Sequence, residues 1–225
     1  MNQNIKAINE PIKSYKPGSS ERKSLQAKYD EMAGQTIEIP LIISGQEIKT
    51  GDTGTCVMPH DHGHILASYH KGGENEVKMA VNSSMDSWKS WSRTSLDERT
   101  TIFRKAAELL QGPWRDTINA ATMLNQSKNA FQAEIDSACE LIDFFNFNAQ
   151  YAEEIYENQP LISPDGMHNH LEYRPLEGFV FAITPFNFTS IAGNLPSAPA
   201  LMGNVALWKP ASSAVLPCYY IMKML

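Results

Sequence analysis

Apolar and polar positions change rhythm several times along this chain, and each change marks an element. EIPLIISGQEIKT (38–50) reads as two short strands joined at Ser44-Gly45, and a further extended stretch follows around 55–69. Helical spacing then takes over. Val77, Ala80, Val81, Trp88 and Trp91 recur on one face of a helix over 74–92. Ser95-Leu96-Asp97-Glu98 is a capping box that opens a helix carrying Ile102, Phe103, Ala106, Leu109 and Leu110, which ends at Gly112-Pro113. A short helix is predicted over 114–124. A long one follows over 130–156, with Phe131, Ile135, Ala138, Leu141, Ile142 and Phe145 on one face. These stripes read as core packing.

After Pro160 the character changes. Residues 160–170 read as a loop and 171–175 as an extended edge segment. GFVFAITP (178–185) is a near-continuous apolar run, as in a strand covered on both faces. Residues 189–203 are rich in small residues and hold Pro196 and Pro199, so a helix there is expected to start late or be interrupted. VALWKP (205–210) is a second strand, and a helix starts near 214. Strand, crossover, strand, helix is the rhythm of a parallel sheet. Residues 1–34, broken at Pro17-Gly18-Ser19-Ser20, read as a polar extended arm.

Composition narrows the partners. The chain has 225 residues, 42% of them hydrophobic, and 19 Lys and Arg against 25 Asp and Glu give a net charge of −6. That balance argues against nucleic acid and against anionic membrane surfaces. No apolar run reaches membrane-spanning or signal-peptide length, so the cytoplasm is the expected location. Cys56, Cys139 and Cys218 are too few and too scattered for a disulfide framework or a zinc site.

Chemistry concentrates at the strand ends, where open α/β sheets bind ligands. Asn187, between Phe186 and Phe188, follows the first strand and can donate two hydrogen bonds to an oxygen that gains charge. Lys209 ends the second strand, where a lysine can donate to ribose hydroxyls. No G-x-G-x-x-G follows the first strand. The plainer reading makes Asn187 a helix cap and Lys209 a solvated strand end. Two others stay open. His60, His62 and His64, with His70 nearby, alternate along PHDHGHILASYH as metal ligands on one strand face would, against a polar turn built on Asp61 and Gly63. The chain also fits a non-catalytic nucleotide-binding or oligomerisation protein. Glu134, Asp136, Glu140 and Asp143 read as a solvated helix surface.

LEGFVFAITPFNFTSIAGNLPSAPALMGNVALWKPAS resembles the start of the cofactor domain in the NAD(P)-dependent aldehyde dehydrogenase superfamily, through its P-F-N-F and W-K-P-A segments. NQSKNAFQAEIDSACELIDFFNFNA, PHDHGHILASYHKG and Phe188-Thr189 resemble the branch that oxidises L-glutamate γ-semialdehyde, the 1-pyrroline-5-carboxylate dehydrogenases of proline degradation. The resemblance implies an α/β fold: a helical N-terminal region (35–170) after the arm, then the opening βαβ of a Rossmann-like parallel sheet (171–225), incomplete in this chain. It implies Asn187 as oxyanion stabiliser, and Ile183, Thr184, Pro185, Lys209 and Ser212 as cofactor-binding residues. Phe188 would line the substrate pocket. The resemblance implies NAD as the cofactor, which this branch favours, although Ser212 stands where many relatives carry a Glu that disfavours a 2′-phosphate. A small-molecule aldehyde substrate and a homo-oligomer are implied for the intact enzyme. The family's nucleophile segment (G-Q-x-C) and general-base segment (E-[LC]-G-G) are not among these residues, and none of the three cysteines suits that role. The chain alone is therefore expected to be an inactive N-terminal portion.

Overall fold

The computed structural model describes residues 6–225. Its first departure from the expected layout lies in the polar segment expected as an extended arm, which contains a helix, α1 (Ser20–Ala33). Gly18 turns the chain at φ 84°, and the Ser19 hydroxyl accepts the Arg22 amide at 3.3 Å as an N-cap. Only Leu25 and Met32 of this helix are buried, too few to give a periodic stripe. Ahead of it the chain is extended but strapped down. The backbone N–H groups of Ala7, Glu10 and Lys13 donate to Gln150, Asp143 and Glu134 at 2.7, 2.7 and 2.8 Å.

β1 (Ile37–Ile39) pairs parallel with β5 (Asp61–His70), which pairs antiparallel with β4 (Thr53–Met58). The predicted hairpin forms separately from β2 (Leu41–Ile43) and β3 (Gln46–Ile48). Ser44 and Gly45 have φ of 55° and 71°, the two left-handed positions that a tight two-residue hairpin turn requires.

The predicted helices follow as α2 (Glu74–Trp91), α3 (Leu96–Gln111), α4 (Arg115–Gln126) and a long rod made of α5 (Ala130–Ala133), a π-turn (Glu134–Cys139) and α6 (Glu140–Glu157). The capping box is in place: Ser95 Oγ accepts the Glu98 amide at 3.2 Å, and the Ser95 amide donates to Glu98 Oε2 at 3.1 Å. Phe103, Leu110, Leu141, Ile142 and Phe145 form the core as expected. Three stripes depart from it, the first at Ile102 of α3, which is 44% exposed. No residue of α2 is buried, so its apolar face is only partly covered. Phe131 is 58% exposed, because the wider π-turn rotates the residues before it off the face that α6 buries.

The carboxylates expected on a solvated surface are the largest correction. Glu134 is fully buried and Asp136 is 5% exposed. Glu134 accepts from Tyr15 (2.7 Å), Asn119 (2.8 Å), the Lys13 amide (2.8 Å) and the Arg115 guanidinium, which also pairs with Glu10. Asp136 pairs with Lys128, Ser190 donates to Glu140 at 2.8 Å, and Asp143 accepts from Asn9 at 2.7 Å. Periodicity along one helix could not report this, since Tyr15 and Lys13 lie 119 and 121 positions from Glu134.

The C-terminal part is the expected crossover: β6 (Val180–Ile183), α7 (Thr189–Leu201), β7 (Ala206–Lys209), a 3-10 turn (Ser212–Ala214) and α8 (Val215–Met224). β6 and β7 pair in parallel, Val180 opposite Ala206 and Ile183 opposite Lys209. Three details differ from expectation. Residues 171–175 form no strand, and the Leu171 amide instead donates to Gln159 at 2.9 Å. β6 is covered on one face only: Ala182 is buried while Phe181 and Ile183 are 53% and 62% exposed. Finally, α7 starts at Thr189 and runs unbroken through Pro196 and Pro199. The prolines remove two backbone donors, yet burial against α6 holds the helix. Gly193 makes that approach possible, because a Cβ there would sit 2.9 Å from Leu141 Cδ2.

Candidate functional site at the strand ends

The site is built on the carboxyl ends of β6 and β7. The Thr184 amide donates to the Lys209 carbonyl at 3.2 Å, continuing the ladder one step past the strands. The chain then leaves β6 as Pro185-Phe186-Asn187-Phe188 and enters α7. It leaves β7 as Pro210-Ala211 before the 3-10 turn at Ser212. The register thus brings the Asn187 loop and the Lys209–Ser212 loop side by side at one end of the sheet.

The side chains there fall into two groups. Ile183, Phe186, Asn187, Phe188, Lys209 and Ser212 are exposed and Pro185 is half-buried. Among the described residues, the amide of Asn187, the ammonium of Lys209 and the hydroxyl of Ser212 make no hydrogen bond to protein. Asn187 is therefore not a cap of α7, whose N-cap position is Phe188. Thr184 belongs to the other group: it is 4% exposed, and its Oγ1 accepts from Trp208 Nε1 at 3.0 Å. Thr184 offers its backbone to the crevice, with its hydroxyl committed to the interior.

Beneath the loop is a polar layer that the spacing of the sequence did not reveal. Lys128, in the turn between α4 and α5, donates to the Asn187 carbonyl, pairs with Asp136 and lies 4.6 Å above the Phe188 ring. Asp136 also accepts from Ser190 Oγ at 3.2 Å and from the Thr189 amide at 3.4 Å, at the start of α7. Thr189 shares its hydroxyl with Thr122 and Gln126, both at 2.9 Å. One signal was legible: Lys128 lies within the NQSKN segment that carries the family resemblance.

The histidines do not converge. His60 sits in the β4–β5 turn with Nδ1 2.7 Å from Ser127 Oγ, and His64 Nε2 donates to the Ala33 carbonyl at 2.8 Å. His70 is buried, its Nδ1 accepting from the Thr50 and Gly51 amides at 3.1 Å while Nε2 donates to Glu38 at 2.9 Å. No group of three His, Cys, Asp or Glu among the described residues is disposed to hold a metal. All three cysteines are buried and unpaired. Burial pushes the Cys218 thiol up to about 12, and burial together with the nearby Glu134 carboxylate pushes Cys139 up to about 12. Cys56 is also raised by burial. None resembles an activated nucleophile, which needs a depressed pKa and access. No helix among the described residues is long and apolar enough to cross a membrane.

Comparison with known proteins gives this geometry a family. The model of the aldehyde dehydrogenase family matches residues 47–225. The chain belongs to the aldehyde dehydrogenase family. Over 218 residues it is 49% identical to a Δ1-pyrroline-5-carboxylate dehydrogenase of Agaricus bisporus, a match that covers 96% of this chain and 40% of that protein. The human mitochondrial Δ1-pyrroline-5-carboxylate dehydrogenase is 44% identical over 221 residues, covering 98% of this chain and 39% of the relative. A crystal structure of the Δ-pyrroline-5-carboxylate dehydrogenase from Mycobacterium tuberculosis bound with NAD superposes with a TM-score of 0.96 at 46% identity, covering 100% of this chain and 42% of that one. The chain thus spans about two fifths of the length of the curated relatives it matches. The aldehyde-dehydrogenase-like α/β fold expected from the sequence is the fold observed.

Proposed function

We propose that this chain supplies the N-terminal portion of an NAD-dependent dehydrogenase that oxidises L-glutamate γ-semialdehyde, the open form of 1-pyrroline-5-carboxylate, to L-glutamate in proline degradation. The observation that supports the reading is the parallel β6–β7 pair, from which the loops bearing Asn187 and Lys209 leave at the same end of the sheet with both side chains exposed. The relatives' printed names give the substrate class, and the NAD-bound relative gives the cofactor.

In this reading residues 35–170 are the strand-and-helix part of the fold and 171–225 open the cofactor domain. The Asn187 amide donates to the oxygen that becomes negative when a thiolate attacks the aldehyde carbonyl. A donor fixed there lowers the barrier because it meets a charge that develops only in the transition state. Phe188 walls the substrate side and Phe186 helps exclude water. Bound NAD would accept the hydride. Lys209 and Ser212, exposed and without a side-chain partner among the described residues, fit the hydroxyl-rich adenosine ribose, and the backbone of Ile183, Thr184 and Pro185 borders the nicotinamide end. Ser212 carries no charge to repel a 2′-phosphate, so NADP is the cofactor to test against NAD. The thiolate and the base come from sequence outside these 225 residues, and the working enzyme is a homo-oligomer. The unpaired cysteines suit a reducing compartment. Cytoplasm is the reading kept, with the mitochondrion the alternative to test, since the Dictyostelium discoideum and human relatives are named mitochondrial.

The test is NADH formation from L-glutamate γ-semialdehyde. The 225-residue chain alone is expected to show none, and the protein read from the coding sequence past Leu225 is expected to turn over. Asn187→Ala in that protein is expected to lower kcat by about 10²–10³-fold. An unchanged kcat would remove Asn187 from the mechanism.

A further inference from the structure

The loop that presents Asn187 is held firmly at its two ends and by one side chain in between. At its start, Thr184 is fixed by Trp208 and by the Lys209 carbonyl. At its end, Thr189 is fixed by Thr122, Gln126 and Asp136. Between them Phe186 is 64% exposed and Phe188 40%. Among the described residues the one side chain hydrogen-bonded to positions 185–188 is Lys128, whose ammonium donates to the Asn187 carbonyl.

Lys128 is itself held in place. Ser127, before it, adopts the left-handed conformation at φ 54° and meets His60 through its hydroxyl. Asn129, after it, caps α5: its Oδ1 accepts the Gln132 amide at 2.9 Å, and its own amide donates to Gln132 Oε1 at 3.1 Å. The Lys128 side chain is 16% exposed and its partner Asp136 7%. An ammonium has three N–H donors. Here the partners are Asp136 and the Asn187 carbonyl, and the nitrogen lies 4.6 Å from the centre of the Phe188 ring. Asp136, in turn, takes the Thr189 amide and the Ser190 hydroxyl, so the same ion pair ties the loop to the start of the helix that follows.

We infer that Lys128 is a positioning residue for catalysis: it fixes the Asn187 backbone from the helical side of the crevice, so that the amide is aimed at the reacting oxygen before substrate arrives. The inference rests on the reading of Asn187 as the oxyanion donor. Its energetic logic is preorganisation, because a donor displaced by a fraction of an ångström loses much of its effect on the transition state.

Two measurements test it. In the 225-residue chain, Lys128→Met is expected to lower the backbone amide NMR order parameters at 186–188 from about 0.85 to below about 0.6 while those of α3 and α6 are unchanged. Lys128→Arg, which keeps the charge and the donors, is expected to restore most of the order. Because Lys128→Met strips Asp136 of its partner and can unfold the chain, the neutral pair Lys128→Met with Asp136→Asn is measured alongside it. In the turning-over protein, Lys128→Met is expected to lower kcat by about 10-fold with KM for the aldehyde within about 2-fold, and Lys128→Arg to recover it. Unchanged order parameters at 186–188 in both neutral variants overturn the inference. So does a loss confined to KM, which would make Lys128 a ligand contact. If Asn187→Ala leaves kcat intact while the order-parameter result holds, the catalytic reading of Asn187 fails and the hold of Lys128 on the loop stands.

Discussion

Two polar clusters lie at different depths of this molecule, and they use similar residue types to opposite ends. Around Glu134, every donor and acceptor is spoken for: one carboxylate takes hydrogen bonds from an arginine, a tyrosine, an asparagine and a backbone amide, all out of water. At the strand ends, an asparagine, a lysine and a serine stand exposed with no protein partner among the described residues. A buried charge must be satisfied or the fold does not form. A group that is to meet a ligand has to be left unsatisfied, with water as its placeholder. The contrast separates polar residues that hold the fold from polar residues that the fold holds out.

Removing the buried carboxylate should break the comparison hardest. Glu134→Ala leaves Arg115 buried with a partner missing, and a loss of about 3–5 kcal/mol is expected in urea unfolding. A loss near zero would mean that water reaches the cluster. A smaller effect is expected from acid. Burial pushes the Glu134 carboxyl up, but hydrogen bonds from Arg115, Tyr15 and Lys13 outweigh it and hold the carboxyl below its ordinary value. A lowered folded-state pKa contributes stability above the unfolded value, and that stability is lost as pH falls through the lowered one. Glu134→Gln should therefore flatten the acid limb of a stability–pH curve below about pH 4.5, and an unaltered limb would assign acid unfolding to other carboxylates.

Ser95→Ala removes an exposed N-cap and should cost about 1 kcal/mol. The smallest effects belong to the crevice. Asn187→Ala and Lys209→Ala should each shift stability by no more than about 0.5 kcal/mol, since neither side chain has a partner to lose among the described residues. A large destabilisation by either would show that the strand ends are structural after all.

Legibility in the sequence followed the range of the interactions. The Ser44-Gly45 turn, the Ser95–Glu98 cap and the two strands ending at Ile183 and Lys209 are decided by neighbours within a few positions, and they were readable. The extended reading of 20–33 failed because a helix with two buried residues carries almost no periodic signal. The carboxylates failed for another reason: Glu134 and Asp136 look solvated on a helical wheel, and their partners are distant in the chain. At the site, Asn187, Lys209 and Ser212 were legible as polar residues after apolar runs. The inward turn of Thr184 and the role of Lys128 were not, because each depends on which side chain lies across the crevice.

By itself, the sequence determined the succession of helices over residues 74–157, the parallel crossover near residues 178–210 and the family, since local periodicity, turn chemistry and the P-F-N-F and W-K-P-A segments suffice for these. Only the tertiary structure decided which polar groups are spent on one another and which remain available. That division depends on burial and on partners far away in the chain, and a linear pattern carries neither.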